Sequence, residues 1–168
     1  MKKTMMKVLL GAGLATAAVA SANAAEPVNQ DNRWGVGVFY NSTTPTDFLP
    51  MVTFDAASGT HFGLGATYTH NGANSSNNFY ASGFIGQDIV KMGNLAISIG
   101  AAGGTTLNSP EFGTRLYNLG AYVGADFFIT NNFKASAQLI ALNYQQTEYG
   151  YKNWDAFGQG SIGLTYLF

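Results

Sequence analysis

The stretch Tyr117-Asn-Leu-Gly-Ala-Tyr-Val-Gly-Ala-Asp-Phe127 decides the fold. Side chains of an extended chain point alternately to opposite sides. Tyr117, Leu119, Ala121, Val123, Ala125 and Phe127 therefore share one face, and Asn118, Gly120, Tyr122, Gly124 and Asp126 share the other. The first face is apolar in its middle and aromatic at both ends. Ten steps of about 3.3 Å, tilted near 40°, rise roughly 25 Å, the height of the apolar band of a membrane-crossing strand. Rings at the two ends suit the two water boundaries of such a band.

The same period of two recurs on either side of this stretch. Trp34, Val36, Val38 and Tyr40 oppose Gly35, Gly37 and Phe39; Phe62, Leu64, Ala66 and Tyr68 oppose Gly63, Gly65, Thr67 and Thr69. Leu95, Ile97, Ile99 and Ala101 stand against Ala96, Ser98, Gly100 and Ala102, and Ile162, Leu164, Tyr166 and Phe168 against Ser161, Gly163, Thr165 and Leu167. Phe48 to Phe54, Phe79 to Val90 and Phe133 to Leu142 alternate less cleanly and complete a set of eight strands. An even number lets an antiparallel wall close on itself, which removes unpaired edges that cost several kcal/mol each in hydrocarbon. The expectation is an all-β, eight-stranded antiparallel up-and-down transmembrane β-barrel.

Connection lengths alternate as such a barrel requires. Asp55 to Thr60, Lys91 to Asn94 and Thr130 to Asn132 are short and would face the periplasm; Asn41 to Thr46, His70 to Asn78, Thr105 to Thr114 and Asn143 to Asp155 are longer and would face outside. Charged residues are 10% of the chain against roughly 25% in soluble proteins, while aromatics reach 14%. The longest nearly uncharged apolar run beyond residue 24, Leu95 to Gly104, has about half the length that a spanning helix needs. A soluble carrier barrel would hide its apolar face around a ligand and show charge to water, the reverse of this pattern.

Met1 to Lys7 carry three lysines, Val8 to Ala20 are mostly apolar, and Ala22-Asn-Ala24 offers small residues for cleavage. This is the layout of a secretory signal over residues 1–24, leaving one barrel domain over 25–168. Arg33, Lys91, Arg115, Lys134 and Lys152 are then outnumbered by nine acidic residues, so there is no basic footprint for nucleic acid. The absence of cysteine excludes disulfides and thiolate metal sites. The Gly-x-Gly pairs at Gly35 and Gly63 lie within strands and are not phosphate loops. No cofactor or metal is expected, the two histidines standing at opposite barrel ends.

The alternation of Ile162, Leu164 and Tyr166 up to a terminal Phe168 resembles the end signature read by the barrel-assembly machinery of Gram-negative outer membranes. With the signal and the strand count, the mature chain resembles the small eight-stranded outer-membrane barrels, the superfamily of OmpX, Ail, NspA and the OmpA membrane domain. The resemblance covers the whole mature chain as a pattern and fixes the class, not the subfamily. It implies a monomer in the outer membrane, surrounded by lipid and lipopolysaccharide, with an aromatic girdle at Trp34, Tyr40, Phe62, Tyr68, Tyr117, Phe127, Tyr166 and Phe168. It also implies a non-enzymatic role in envelope integrity, or in adhesion to a host or surface protein. A lipid A modifying enzyme is the alternative, and a narrow channel is third.

Parity places Asp126 and Lys134 on the inner face, nearly opposite across the Thr130 hairpin, with Arg33, Asp88 and also Asp55 at the same end. A charged network there would plug the lumen; the other reading is a solvated mouth without fixed pairs. Phe39, Tyr80, Phe84 and Tyr122 also point inward and need neighbouring glycines for room, so no sizeable pore is expected. Enzyme chemistry would need a triad of His70, Ser75 or Ser76, and Asp47 or Glu148, with no paired histidine and serine on one strand to support it; His61 lies at the wrong end. Tyr144, Tyr149, Tyr151 and Trp154 in the last outer connection have the amphipathic composition of contact surfaces. They would otherwise extend the girdle or pack within the loop.

Overall fold

A computed structural model describes residues 31–41, 48–71, 76–109 and 115–168. The expected signal over residues 1–24 lies outside the described residues, as do parts of the first three outer connections. Eight strands follow in chain order: β1 Arg33–Asn41, β2 Phe48–Asp55, β3 Thr60–Asn71, β4 Ser76–Met92, β5 Leu95–Ser109, β6 Arg115–Phe128, β7 Phe133–Thr147 and β8 Lys152–Leu167. Each pairs antiparallel with the next, and β8 returns to β1 through Gly35 opposite Leu167 up to Asn41 opposite Ser161. The wall is a closed eight-stranded antiparallel barrel. Among the described residues no helix is long and apolar enough to cross a membrane.

Short turns close one rim. Gly93-Asn94 joins β4 to β5 in two residues, with Gly93 at φ +57°, the left-handed value that a II′ turn needs at its first central position. Asn94 and Asn132 stitch neighbouring hairpins together: the Asn94 side chain donates to the Phe128 carbonyl at 3.2 Å, and that of Asn132 to the Leu167 carbonyl at 2.9 Å. Beneath the lumen, Ala96, Phe128 and Leu167 pack as a small buried apolar cluster.

At the other rim the strands run further than their sequence pattern indicates. The expected connection Asn143 to Asp155 is mostly strand, with β7 reaching Thr147, β8 starting at Lys152, and a turn of four residues between them. A register shift hides this continuation. Ile140 and Leu142 pair with Tyr122 and Ala121 on β6, leaving Ala141 out of step, and on β8 they pair with Gln159 and Ala156. Phe157, beside this irregularity, has φ +54°. Such a bulge slips the inside–outside parity by one residue, so Asn143 is buried and Leu142 is exposed beyond it. The same lengthening carries β3 to Asn71 and β5 to Ser109.

The exterior is apolar. Val36, Val38, Leu64, Ile85, Ile99, Leu119, Val123, Ile162 and Leu164 are each 47–67% exposed and form one continuous belt. A soluble monomer rarely leaves so large an apolar face in water, whereas hydrocarbon needs no further cover. Rings gather at the belt's two edges. Trp34, Phe54 and Phe62 lie 5.0–5.9 Å apart by ring centroid, and Phe133 lies 5.2 Å from Tyr166, at the short-turn edge. Tyr40 lies 5.9 Å from Phe48, and Tyr144 4.8 Å from Trp154, toward the other edge. Leu95 departs from its expected place in the exposed belt: registered between Met92 and Phe127, it is 1% exposed.

Candidate functional site

The chemistry-bearing side chains concentrate inside the wall, in layers. At the short-turn end β7 points Lys134 inward, and its Nζ donates to both oxygens of Asp55 at 2.7 and 2.6 Å. Asp126 Oδ2 lies 3.4 Å from the same nitrogen. The register sets Lys134 opposite Phe128 and sets Asp126 opposite Ser136, so the Lys134–Asp126 contact is diagonal and not straight across the hairpin. The nearer partner, Asp55, comes from β2, which is not a neighbour of β7 in the sheet. Only 3% of the lysine side chain is exposed, and a buried ammonium is tolerated only where carboxylates surround it.

A second group sits beside the first. Asp88 lies 3.4 Å from His61 Nδ1 and 3.4 Å from Lys91 Nζ, and His61 Nε2 lies 2.9 Å from the Tyr122 hydroxyl. With its proton on Nδ1, facing the carboxylate, the imidazole accepts from Tyr122 at Nε2. His61 was legible as an inward residue, since Phe62 next to it faces out, but nothing in the sequence linked it to Asp88. Arg33 extends toward the rim, donates to the Asn131 carbonyl and lies over the Phe128 ring, 5.8 Å from its centroid.

Above the charges the lumen is filled by rings. Phe39, Tyr80 and Tyr122 are 2–4% exposed, and the Phe84 ring lies 6.0 Å from Phe39 and 6.2 Å from Tyr122. Three of these rings lie over a glycine of the adjacent strand: Phe39 over Gly163, Phe84 over Gly63 and Tyr122 over Gly100. A Cβ at Gly63 would overlap the Phe84 ring, while one at Gly100 would strike the Ile85 carbonyl as well as Tyr122. Alanine at either position is expected to destabilise the barrel by about 1–3 kcal/mol, the usual cost of overpacking. The two costs respond differently to a second change. Phe84→Leu relieves Gly63→Ala, whereas Tyr122→Leu leaves Gly100→Ala costly because the backbone clash remains; equal relief in chemical unfolding would refute this.

At the far rim, Tyr144 and Trp154 meet as tilted rings across the β7–β8 hairpin, and the Tyr144 hydroxyl donates to Gln146 at 3.0 Å. Tyr149, Tyr151 and Trp154 are 76%, 68% and 63% exposed. His70 is engaged by Asn77, its register partner, at 2.7 Å, and Tyr68 donates to the same Asn77 oxygen at 2.8 Å. Of the conceivable triad partners, Ser75 and Asp47 lie outside the described residues, and Glu148 is an exposed turn residue of the last hairpin. Among the described residues no group of three or more His, Asp or Glu could hold a metal ion.

The closed eight-stranded wall is similar in shape to several solved barrels. The fold is a closed, eight-stranded, up-and-down antiparallel barrel. Similar solved structures include the outer membrane protein Ail of Yersinia pestis, 10% identical over 82% of this chain and 100% of that one, with a TM-score of 0.47. Neisserial surface protein A is 15% identical over 82% and 96%, with a TM-score of 0.46. The N-terminal barrel domain of Pseudomonas aeruginosa OprF is 17% identical over 82% and 98%, with a TM-score of 0.43. No family model and no curated protein matches the chain. At such identities the likeness is one of shape, and the fold rests on this chain's own strand pairing.

Proposed function

We propose that this is an exported, monomeric, non-enzymatic barrel of a Gram-negative outer membrane, with its short turns in the periplasm and its long strands rising to the cell surface. In this reading residues 1–24 are the export signal, and the assembly machinery reads the end formed by Ile162, Leu164, Tyr166 and Phe168. Lipid and lipopolysaccharide surround the girdle of Trp34, Tyr40, Phe62, Tyr68, Tyr117, Phe127, Tyr166 and Phe168. Its role is contact at the surface, through the β7–β8 hairpin, with a host or surface protein.

One observation carries the contact role: the hairpin projects as paired strand and presents Tyr149, Tyr151 and Trp154 largely uncovered. Rings held on a paired backbone lose little freedom on binding, which is why tyrosine and tryptophan dominate contact hot spots. Changing Tyr149 and Tyr151 to serine together is expected to reduce binding of barrel-bearing cells to host-cell layers at least tenfold, with unchanged amounts of folded barrel. Undiminished binding would leave envelope integrity as the role, to be read from detergent sensitivity of cells lacking the protein.

A further inference from the structure

Two small spaces lie inside the wall, one on each side of the ring layer. The upper is a cavity of about 40 Å³ with an apolar side that includes Leu49, Met51 and Tyr80 and a polar side that includes Asn118, Gln138 and Asn143. Asn118 Oδ1 and Asn143 Nδ2 are buried without a hydrogen-bond partner in the protein, and Asn143 is only 3% exposed. An unmet buried amide costs about 1–3 kcal/mol, and water relieves that cost. At about 10–15 Å³ for each molecule, the cavity has room for about three. The lower space, about 10 Å³, borders Arg33, Asp55, His61, Asp88 and Asp126, and is large enough for about one water.

Phe39 and Phe84 border the upper cavity, and the Tyr122 hydroxyl reaches down to His61 at the lower one. Gly163, Gly63 and Gly100 seat these rings flush against the wall. We propose that Phe39, Phe84 and Tyr122 form the permeability barrier of the lumen, a single dry layer separating a water-holding blind cup, toward the long-strand rim, from the charged chamber below. Narrow apolar constrictions stop water and ions because a water column cannot persist between apolar walls. The lumen is then closed to water and small monovalent ions at this ring layer, while the chamber below it is polar and holds about one water. This inference rests on the fold and not on the contact role, so loss of hairpin binding leaves it untouched.

The test is planar-bilayer recording in potassium chloride with the folded protein and with the double variant Phe39→Ala, Phe84→Ala, folding being read from heat-shifted gel mobility. The wild-type barrel is expected to show no discrete steps, and the variant steps at least tenfold above the wild-type background. A folded variant that stays silent, or a wild type that conducts as well as the variant, overturns the proposal. Should the variant not fold, nuclear magnetic resonance of the wild type in micelles decides. Water cross-peaks are expected at the Asn118 and Asn143 side-chain amides and none at the Phe39 and Phe84 ring protons; water contact at those rings would overturn the barrier.

Discussion

Replacing Lys134 with methionine is expected to lower the unfolding free energy by about 3–5 kcal/mol, the loss typical when one partner of a buried ion group is removed. Methionine fills nearly the same volume, so packing changes little. What changes is that Asp55 and Asp126, with side chains 15% and 14% exposed, face each other's charge without the ammonium between them. Neutralising both carboxylates in the same chain, with Asp55→Asn and Asp126→Asn added to Lys134→Met, is expected to restore most of the stability, because amides of the same shape need no counter-charge. Urea unfolding in lipid vesicles, followed through the fluorescence of Trp34 and Trp154, measures both variants. The loss from Lys134→Met should also persist in high salt, since screening acts weakly on buried pairs. A loss below about 1 kcal/mol would mean that water already bathes these carboxylates and that the floor is an open mouth, as for exposed pairs.

The barrel was legible where lipid lies against it. Tyr117 to Phe127 and Ser161 to Phe168 alternate cleanly because one face meets hydrocarbon and the other a crowded lumen, two environments that select opposite residues. Past Leu142 that contrast fades. Gln145, Gln146, Asn153 and Asp155 belong to strands, but polar residues near a water boundary leave no alternation to read, and the irregularity at Ala141 and Phe157 shifts the phase. Parity likewise gives the direction of a side chain and not its partner. It aims Lys134 and Asp126 inward, yet the closest carboxylate is that of Asp55, which strand stagger and closure bring across the lumen. His61 shows the same limit: its inward direction follows from Phe62, while its position between Asp88 and Tyr122 depends on the register of β3, β4 and β6.

An arginine at Leu64 is expected to cost about 2–4 kcal/mol, as a cation does on the lipid face near the midplane of a transmembrane barrel. Leu64 is 67% exposed on β3, two residues inside Phe62 and four from Tyr68, whose rings mark the two edges of the belt. In water, an exposed leucine can become arginine with a change of about 0.5 kcal/mol or less. The contrast arises because hydrocarbon cannot hydrate a guanidinium, and the side chain must stretch toward a headgroup or pull water inward to meet its needs. Tyr68→Arg, at the edge of the belt, should cost only about 0–1 kcal/mol, since there the charge reaches water directly. Both variants place the same cation on the same strand, and Tyr68→Arg also loses the hydrogen bond to Asn77, so a smaller cost at Tyr68 in vesicle unfolding reports depth. Equal, small costs at the two positions would place water against Leu64, and the apolar exterior would then need a cover other than lipid.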